Sequence, residues 1–451
     1  MRSNTHYTLK GVIMDIVVGS PHSENKLNVD TWNDYMDKVT KKALPSNYNF
    51  EIAKSVAKIQ QIQATTVALQ MPEGLLAWGC EIADILKFFC QSLEEVIIMA
   101  DVTYGACCID DITAQTIGCD LIIHYGHSCL IPVTDVLVQC LYVFVEISFS
   151  ADHLANVVTQ LFKPHDKIFV MGTIQYSNVL REAAAKIDRS GYFKTKVIVP
   201  QVTPLLPGEV LGCTSPVLEN WEFQRNPETD HQSKDQVGID TEEHEIMLDG
   251  ERKILFVADG RFHLESALIH NPGIKAYRFD PFNKTVTEES YDISMLHATR
   301  QSAIQRARGA KSVCLVLSML GRQGNINILK SIVRMLNNAK INHHVRLLSE
   351  ITIDKLEMLD VDAYVQVGCP RLSIDWGAGF GKPILNPYEA FVAFNNESYK
   401  SVYPMDYYSR NGGDWSNYTA NRLVAPSMDA KEAILRRLQQ RTKAKQLMYS
   451  S

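Results

Sequence analysis

An α/β protein built of three successive units with mainly parallel sheets follows from two observations. Short apolar runs alternate with amphipathic stretches along most of the chain, and several of the runs end in a glycine or an acid followed by a polar turn. Runs that are apolar throughout suit strands buried on both faces, which is the parallel-sheet condition. In order, the pattern predicts a helix over 49–62, a strand over 66–70, a helix over 77–92 and a strand over 95–100. A helix from Asp110 and a strand over 119–124 complete the first unit. A second unit opens with a helix over 151–162 and continues through strand 167–172, helix 177–191 and strand 195–199. The third carries strands at 254–258, 274–279, 312–317, 345–348 and 363–367, with a long helix over 295–308. The boundaries this implies are a loose arm over 1–41, α/β units over 42–149, 150–253 and 254–425, and a basic C-terminal helix over 426–451. A polar tract over 217–252, dense in Asp and Glu, reads as a solvated insertion in the second unit.

Composition sets the bounds. The chain has 451 residues, 46% apolar and 21% charged, enough for two or three domains with ample core. A net charge of -6 offers no footprint for direct nucleic-acid binding. Ten cysteines are scattered without a disulfide framework, which fits a reducing compartment. No apolar run is long enough for a membrane span, the stretch near 136–149 being interrupted by Gln139 and Glu146, and the N-terminus lacks a secretory pattern. A cytoplasmic protein is expected.

Three cysteines stand apart. Cys107, beside Cys108, follows Tyr104-Gly105-Ala106 after the strand at 95–100; Cys213 and Cys369 each follow a glycine with proline soon after. They lie more than 100 positions apart, so only three separate units can bring them together. A thiolate trio with one open coordination position suits a 4Fe-4S cluster that must bind a substrate. The same trio fits a Cys-rich zinc site, although no closely spaced Cys pair of the usual zinc kind occurs. Cys80, Cys90 and Cys140 fall inside elements and read as core, while Cys119 and Cys314 begin or occupy strands. His124, His127, Ser128 and Cys129 follow the strand at 119–124, on the same rim.

The segments Ala100-Asp101-Val102-Thr103-Tyr104-Gly105-Ala106-Cys107-Cys108, Gly260-Arg261-Phe262-His263-Leu264-Glu265-Ser266 and Gly368-Cys369-Pro370-Arg371-Leu372-Ser373-Ile374-Asp375-Trp376-Gly377, with His124-Tyr125-Gly126-His127-Ser128-Cys129-Leu130, resemble 2-(3-amino-3-carboxypropyl)histidine synthase. This family performs the first step of diphthamide biosynthesis, and the double Cys resembles its eukaryotic subunit 1 type. The likeness covers roughly residues 42 to 420, and residues 1–41 match nothing in the family.

The resemblance implies three pseudo-repeated units that deliver Cys107, Cys213 and Cys369 to one central 4Fe-4S cluster. Cys107 is preferred to Cys108 because simpler family members have a single Cys after Tyr-Gly-Ala. It implies S-adenosylmethionine as co-substrate, with the 3-amino-3-carboxypropyl group passing to a histidine of elongation factor 2. A subunit 2 paralogue and a small iron protein that donates electrons are the implied partners. Arg261, Arg322 and Arg371 each follow a predicted strand, and a guanidinium holds a carboxylate by two parallel hydrogen bonds, so they are candidates for the methionine end of the co-substrate. His263, Gln323 and Asp375 stand beside them; Asp375 equally suits a helix cap. The competing reading is a non-catalytic scaffold subunit that bears a cluster or zinc.

Overall fold

The computed structural model describes residues 29–100, 109–126, 136–226, 250–319 and 323–423, whose main sheets are three of four strands each. In the first sheet the strands stand in the order Glu95–Met99, Thr66–Gln70, Leu121–Tyr125, Gln139–Val143, all parallel. Alternate residues enter different cores. Val67, Leu69, Leu121 and Ile123 pack with Ile82, Ile85 and Leu86, whereas Ala68 and Ile122 pack with Ile109 and Ala114 on the other face. Both faces are buried, which is why these strands read as unbroken apolar runs. The third sheet runs Asn342–Leu348, Ser312–Ser318, Ala363–Val367, Ile384–Leu385, again all parallel.

The second sheet corrects a predicted boundary. Arg252–Val257 pairs in parallel with Lys167–Gly172 on one side and Lys275–Asp280 on the other, and Thr285–Glu289 closes the edge antiparallel. Strands assigned to a unit starting at residue 254 therefore belong to the second sheet, and the division falls beyond Glu289. Periodicity marks a strand but carries no information about its neighbour. The strand expected over 195–199 is reduced to two isolated bridges, a parallel one from Phe169 to Ile198 and an antiparallel one from Thr195 to Arg225. Its amides go elsewhere: Val197 N–H donates to Asp188 Oδ1 at 2.8 Å and Lys196 N–H to the Gln224 carbonyl at 2.8 Å. With the parallel bridge counted, the parallel members of each of the three sheets stand in the order second, first, third, fourth, which reverses between the first and third strands.

Three further expectations change. The loose arm over 1–41 contains the helix Val29–Ala43, whose Met36 and Val39 enter the first core and whose Trp32 ring meets Phe89 edge-on at 5.2 Å. The tract over 217–252 is tied down at its start, where the Leu218 N–H donates to Asn271 Oδ1 at 2.7 Å; residues 227–249, like 1–28 and the expected C-terminal helix over 426–451, lie outside the described residues. Cys80 is exposed rather than core, because the buried stripe of Gly79–Phe89 is Gly79, Ile82, Ile85, Leu86 and Phe89. Cys90, Cys119 and Cys314 are buried as expected, and Cys140 is half-buried. Among the described residues, no helix is long and apolar enough to cross a membrane.

The third unit is pinned by a charge pair in its core. Arg300, 1% exposed, donates through Nε to Glu389 Oε1 at 2.6 Å and through Nη2 to Glu389 Oε2 and the Ile384 carbonyl, both at 2.7 Å. Glu389 also accepts from the Tyr403 hydroxyl at 2.8 Å and closes a capping box with Asn386. Burial disfavours both ions, and their mutual attraction offsets it only while both are present.

Arg300→Ala should therefore cost about 3–5 kcal/mol in denaturant unfolding, since it strands Glu389 as an uncompensated buried charge. Lys355→Ala, at an exposed pair with Glu350, should leave the midpoint unmoved. Burial pushes the Cys90 and Cys314 thiols up to about 11. Iodoacetamide at pH 8 should consequently label Cys80 in the native chain and leave Cys90 and Cys314 unlabelled, read by peptide mass mapping.

Candidate functional site

Cys369 follows the third strand of the third sheet, Ala363–Val367, at the point where the strand order reverses against Ser312–Ser318. Ligand sites in open α/β sheets form at such places. The backbone there runs close: a methyl group on Gly368 would stand 2.9 Å from Ser318 Cβ and 3.3 Å from Gln366 Oε1. Gln366, fully buried, donates through Nε2 to the Cys369 carbonyl at 3.0 Å. Burial pushes the Cys369 thiol up, while the backbone amide and the guanidinium of Arg371 pull the other way. A bound cation would offset that penalty by stabilising the thiolate.

Cys213 sits at the tip of a tight turn. The Leu211 N–H donates to the Thr214 carbonyl at 2.9 Å and the Thr214 N–H returns to the Leu211 carbonyl at 3.3 Å, leaving Gly212 and Cys213 at the tip. The turn is stitched to the third unit: the Ser215 N–H reaches the Met405 carbonyl at 2.9 Å, the Tyr407 N–H the Cys213 carbonyl at 3.4 Å, and the Tyr408 N–H Thr214 Oγ1 at 3.0 Å. Thr214 Oγ1 lies 3.9 Å from Cys213 Sγ. Behind the turn is a cavity of about 660 Å³ lined in part by Ser215, His270, Lys400 and Asp406; none of the site residues expected from sequence lines it.

Arg371 joins these loops. Its side chain, 4% exposed, donates through Nε to both Asp375 oxygens at 2.9 Å, through Nη1 to the Phe262 carbonyl at 2.8 Å and the Gly212 carbonyl at 3.3 Å, and through Nη2 to Glu265. The guanidinium lies 4.2 Å from the centre of the Phe262 ring. A methyl group on Gly212 would run into that ring and force it to move. Burial raises Asp375, opposed by the Arg371 charge. Asp375 thus lies inside the helix Arg371–Trp376 and bonds its first residue, rather than capping the turn after it.

Arg261 belongs to the same network. Its Nε donates to Glu265 Oε1 at 2.9 Å, Nη1 lies 3.3 Å from Glu289 and Nη2 donates to the Ser290 carbonyl at 3.0 Å, yet its side chain is half exposed. His263 is half-buried, with its ring edge-on to Phe262 at 5.4 Å. Gln323 is buried in the loop that follows Ser312–Ser318. The structure therefore connects Cys213, Cys369, Arg261, Arg371 and Asp375 through Gly212, Phe262 and Glu265. Cys107, Cys108, His127, Ser128, Cys129 and Arg322 lie outside the described residues, and His124 is buried in the first sheet, 3.2 Å from Gln70. Among the described residues, no three metal-ligating side chains converge. Sequence reading missed Glu265 and Phe262. The i,i+4 spacing of Arg261 and Glu265 was visible, but the contact of Glu265 with Arg371 spans 106 positions.

The chain matches the family model described as "Putative diphthamide synthesis protein" over residues 71–404. It is 46% identical over 380 residues to 2-(3-amino-3-carboxypropyl)histidine synthase subunit 1 of Homo sapiens, covering 83% of this chain and 78% of that protein. The protein of the same name from Mus musculus is 45% identical over 415 residues, 90% of this chain and 86% of that one. The crystal structure of Dph2 from Pyrococcus horikoshii aligns with a TM-score of 0.59 at 25% identity, over 79% of this chain and 98% of that chain. The same protein solved with a 4Fe-4S cluster gives a TM-score of 0.58, over 79% of this chain and 93% of that chain.

Gly212→Ala should destabilise the chain by about 1–3 kcal/mol, because the added methyl displaces the Phe262 ring from the Arg371 guanidinium. Adding Phe262→Ala should make the double variant lose less than the sum of the single losses, measured by urea unfolding.

Proposed function

Because the chain belongs to the diphthamide synthesis family, among the 2-(3-amino-3-carboxypropyl)histidine synthase subunit 1 proteins, we propose that it transfers the 3-amino-3-carboxypropyl group of S-adenosylmethionine to a histidine of elongation factor 2. The observation that carries this reading is the meeting of the Cys213 turn and the Cys369 loop at one junction, tied by Arg371 to the backbone just before Cys213. Both cysteines are half-buried as residues, at a junction between units rather than deep in a core, which suits ligands of a 4Fe-4S cluster. Cys107 is the third proposed ligand. When bound, such a cluster with one open iron supplies the electron that splits the bond from the sulfonium sulfur to the methionine γ-carbon, leaving methylthioadenosine.

The chain's own residues hold and shield the reactants. Arg261 is the described guanidinium best able to take the methionine carboxylate: it is half exposed, and its two hydrogen bonds and one ion pair leave further N–H donors of its five. His263, Gln323 and Arg322 form the rest of the proposed lining. Phe262, exposed beside His263, supplies an apolar wall that limits water at a reactive carbon. The relatives' printed name, subunit 1, implies a partner subunit, and we take a subunit 2 paralogue as that partner, with a small iron protein as electron source and the cytoplasm as the setting.

The test is the iron and sulfide content of the chain purified without oxygen alongside the paralogue. Roughly four irons per chain are expected for the wild type, with loss in Cys107→Ala, Cys213→Ala and Cys369→Ala and retention in Cys80→Ala. Full iron in Cys213→Ala would remove the trio, and zinc in place of iron would leave a scaffold role.

A further inference from the structure

We infer that Arg371 is a positioning residue that clamps the Cys213 turn to the Cys369 loop, rather than a group that grips the co-substrate. The inference deepens the cluster reading above and rests on it. Four features carry it. The guanidinium is 4% exposed, so it does not present itself to a ligand. It donates to both oxygens of Asp375, to Glu265 and to two backbone carbonyls, which leaves one of its five N–H groups without a recorded acceptor. It stands two positions after Cys369, and one of its acceptors is the carbonyl of Gly212, immediately before Cys213 and 159 positions away in sequence. Its flat face lies against Phe262, whose ring occupies the space that a side chain on Gly212 would need. One planar group therefore fixes the backbone beside each thiol with respect to the other.

Glu265 extends the clamp to Arg261. One carboxylate oxygen meets Arg371 Nη2 and the other accepts from Arg261 Nε at 2.9 Å. The proposed carboxylate-binding arginine is thereby held in register with the two cysteine loops. A lysine at position 371 keeps the charge, but its three donors radiate from one atom and cannot reach Asp375 on one side and the Gly212 and Phe262 carbonyls on the other. Arg371→Lys is thus a selective probe: charge retained, fork removed. Glu265→Gln is the milder companion, removing a carboxylate and keeping the shape.

The experiment uses the full chain co-purified with its subunit 2 paralogue, in two states. In the metal-free state, mass spectrometry follows iodoacetamide alkylation of Cys213 and Cys369 under native conditions. Arg371→Lys should raise both rates on the order of tenfold, as expected when a local opening becomes easier, and Glu265→Gln should raise them less, with Cys80 labelling at an unchanged rate in both. In the reconstituted state, Arg371→Lys should retain less iron per chain or show a shifted electron paramagnetic resonance signal of the reduced cluster. Circular dichroism of the metal-free variants checks that the fold is intact, and if Arg371→Lys does not fold, Glu265→Gln carries the test. Unchanged alkylation and an unchanged cluster signal would overturn the clamp. So would an intact cluster combined with weakened S-adenosylmethionine binding, which would make Arg371 a carboxylate grip instead. Full iron in Cys213→Ala and Cys369→Ala would overturn the cluster reading itself, and the alkylation rates judge the clamp independently of that result.

Discussion

A guanidinium withdrawn from water at a domain junction must find acceptors for its donors or the junction does not close. Arg371 finds them in two carboxylates and two carbonyls drawn from three separate stretches of chain. An unpaired charge there would cost several kcal/mol, which makes the arrangement nearly all-or-none. The turn at Gly212, the helix Phe262–His270 and the helix Arg371–Trp376 are set in place together, and the two cysteine loops with them. Specificity of geometry, more than added stability, is what such a buried charge network contributes in this chain.

Three mainly parallel sheets make that junction reachable. Each buries both faces, as the alternation of Val313, Leu315 and Leu317 with Cys314 and Val316 between two cores demonstrates for the strand Ser312–Ser318. Parallel strands direct the loops after them to one rim, so residues distant in sequence can meet without any local chelating motif. The second and third units are also joined directly. Ile269, from the helix beside Arg261, packs in the same core as Tyr403, Tyr407 and Trp415, and Cys213 packs against it. The Arg300 and Glu389 pair lies within that body and orders the tyrosines around it, giving the Cys213 turn a stiff support through residues 405–408.

Much of this was legible in the chain itself. Apolar runs located strands to within a few residues, for instance 66–70, 167–172 and 363–367, because burial on both faces leaves an unbroken hydrophobic signature. The glycine before Cys213 and the arginine after Cys369 were visible as unusual neighbours of a thiol. The misreadings had one origin. The strand Arg252–Val257 looks the same in sequence whichever sheet receives it, and an exposed Cys80 looks like a buried one until the helix is turned on its axis.

Sequence alone determined the α/β class, the cysteines worth following and the family, since these depend on local hydrophobic period and on contiguous motifs. Tertiary structure decided which strands share a sheet, and it placed Arg371 against Gly212 and Glu265 instead of open solvent. The physical reason is the range of the interaction. Burial patterns are written every two or four residues, whereas a hydrogen bond across 159 positions exists only once the units between have folded and docked.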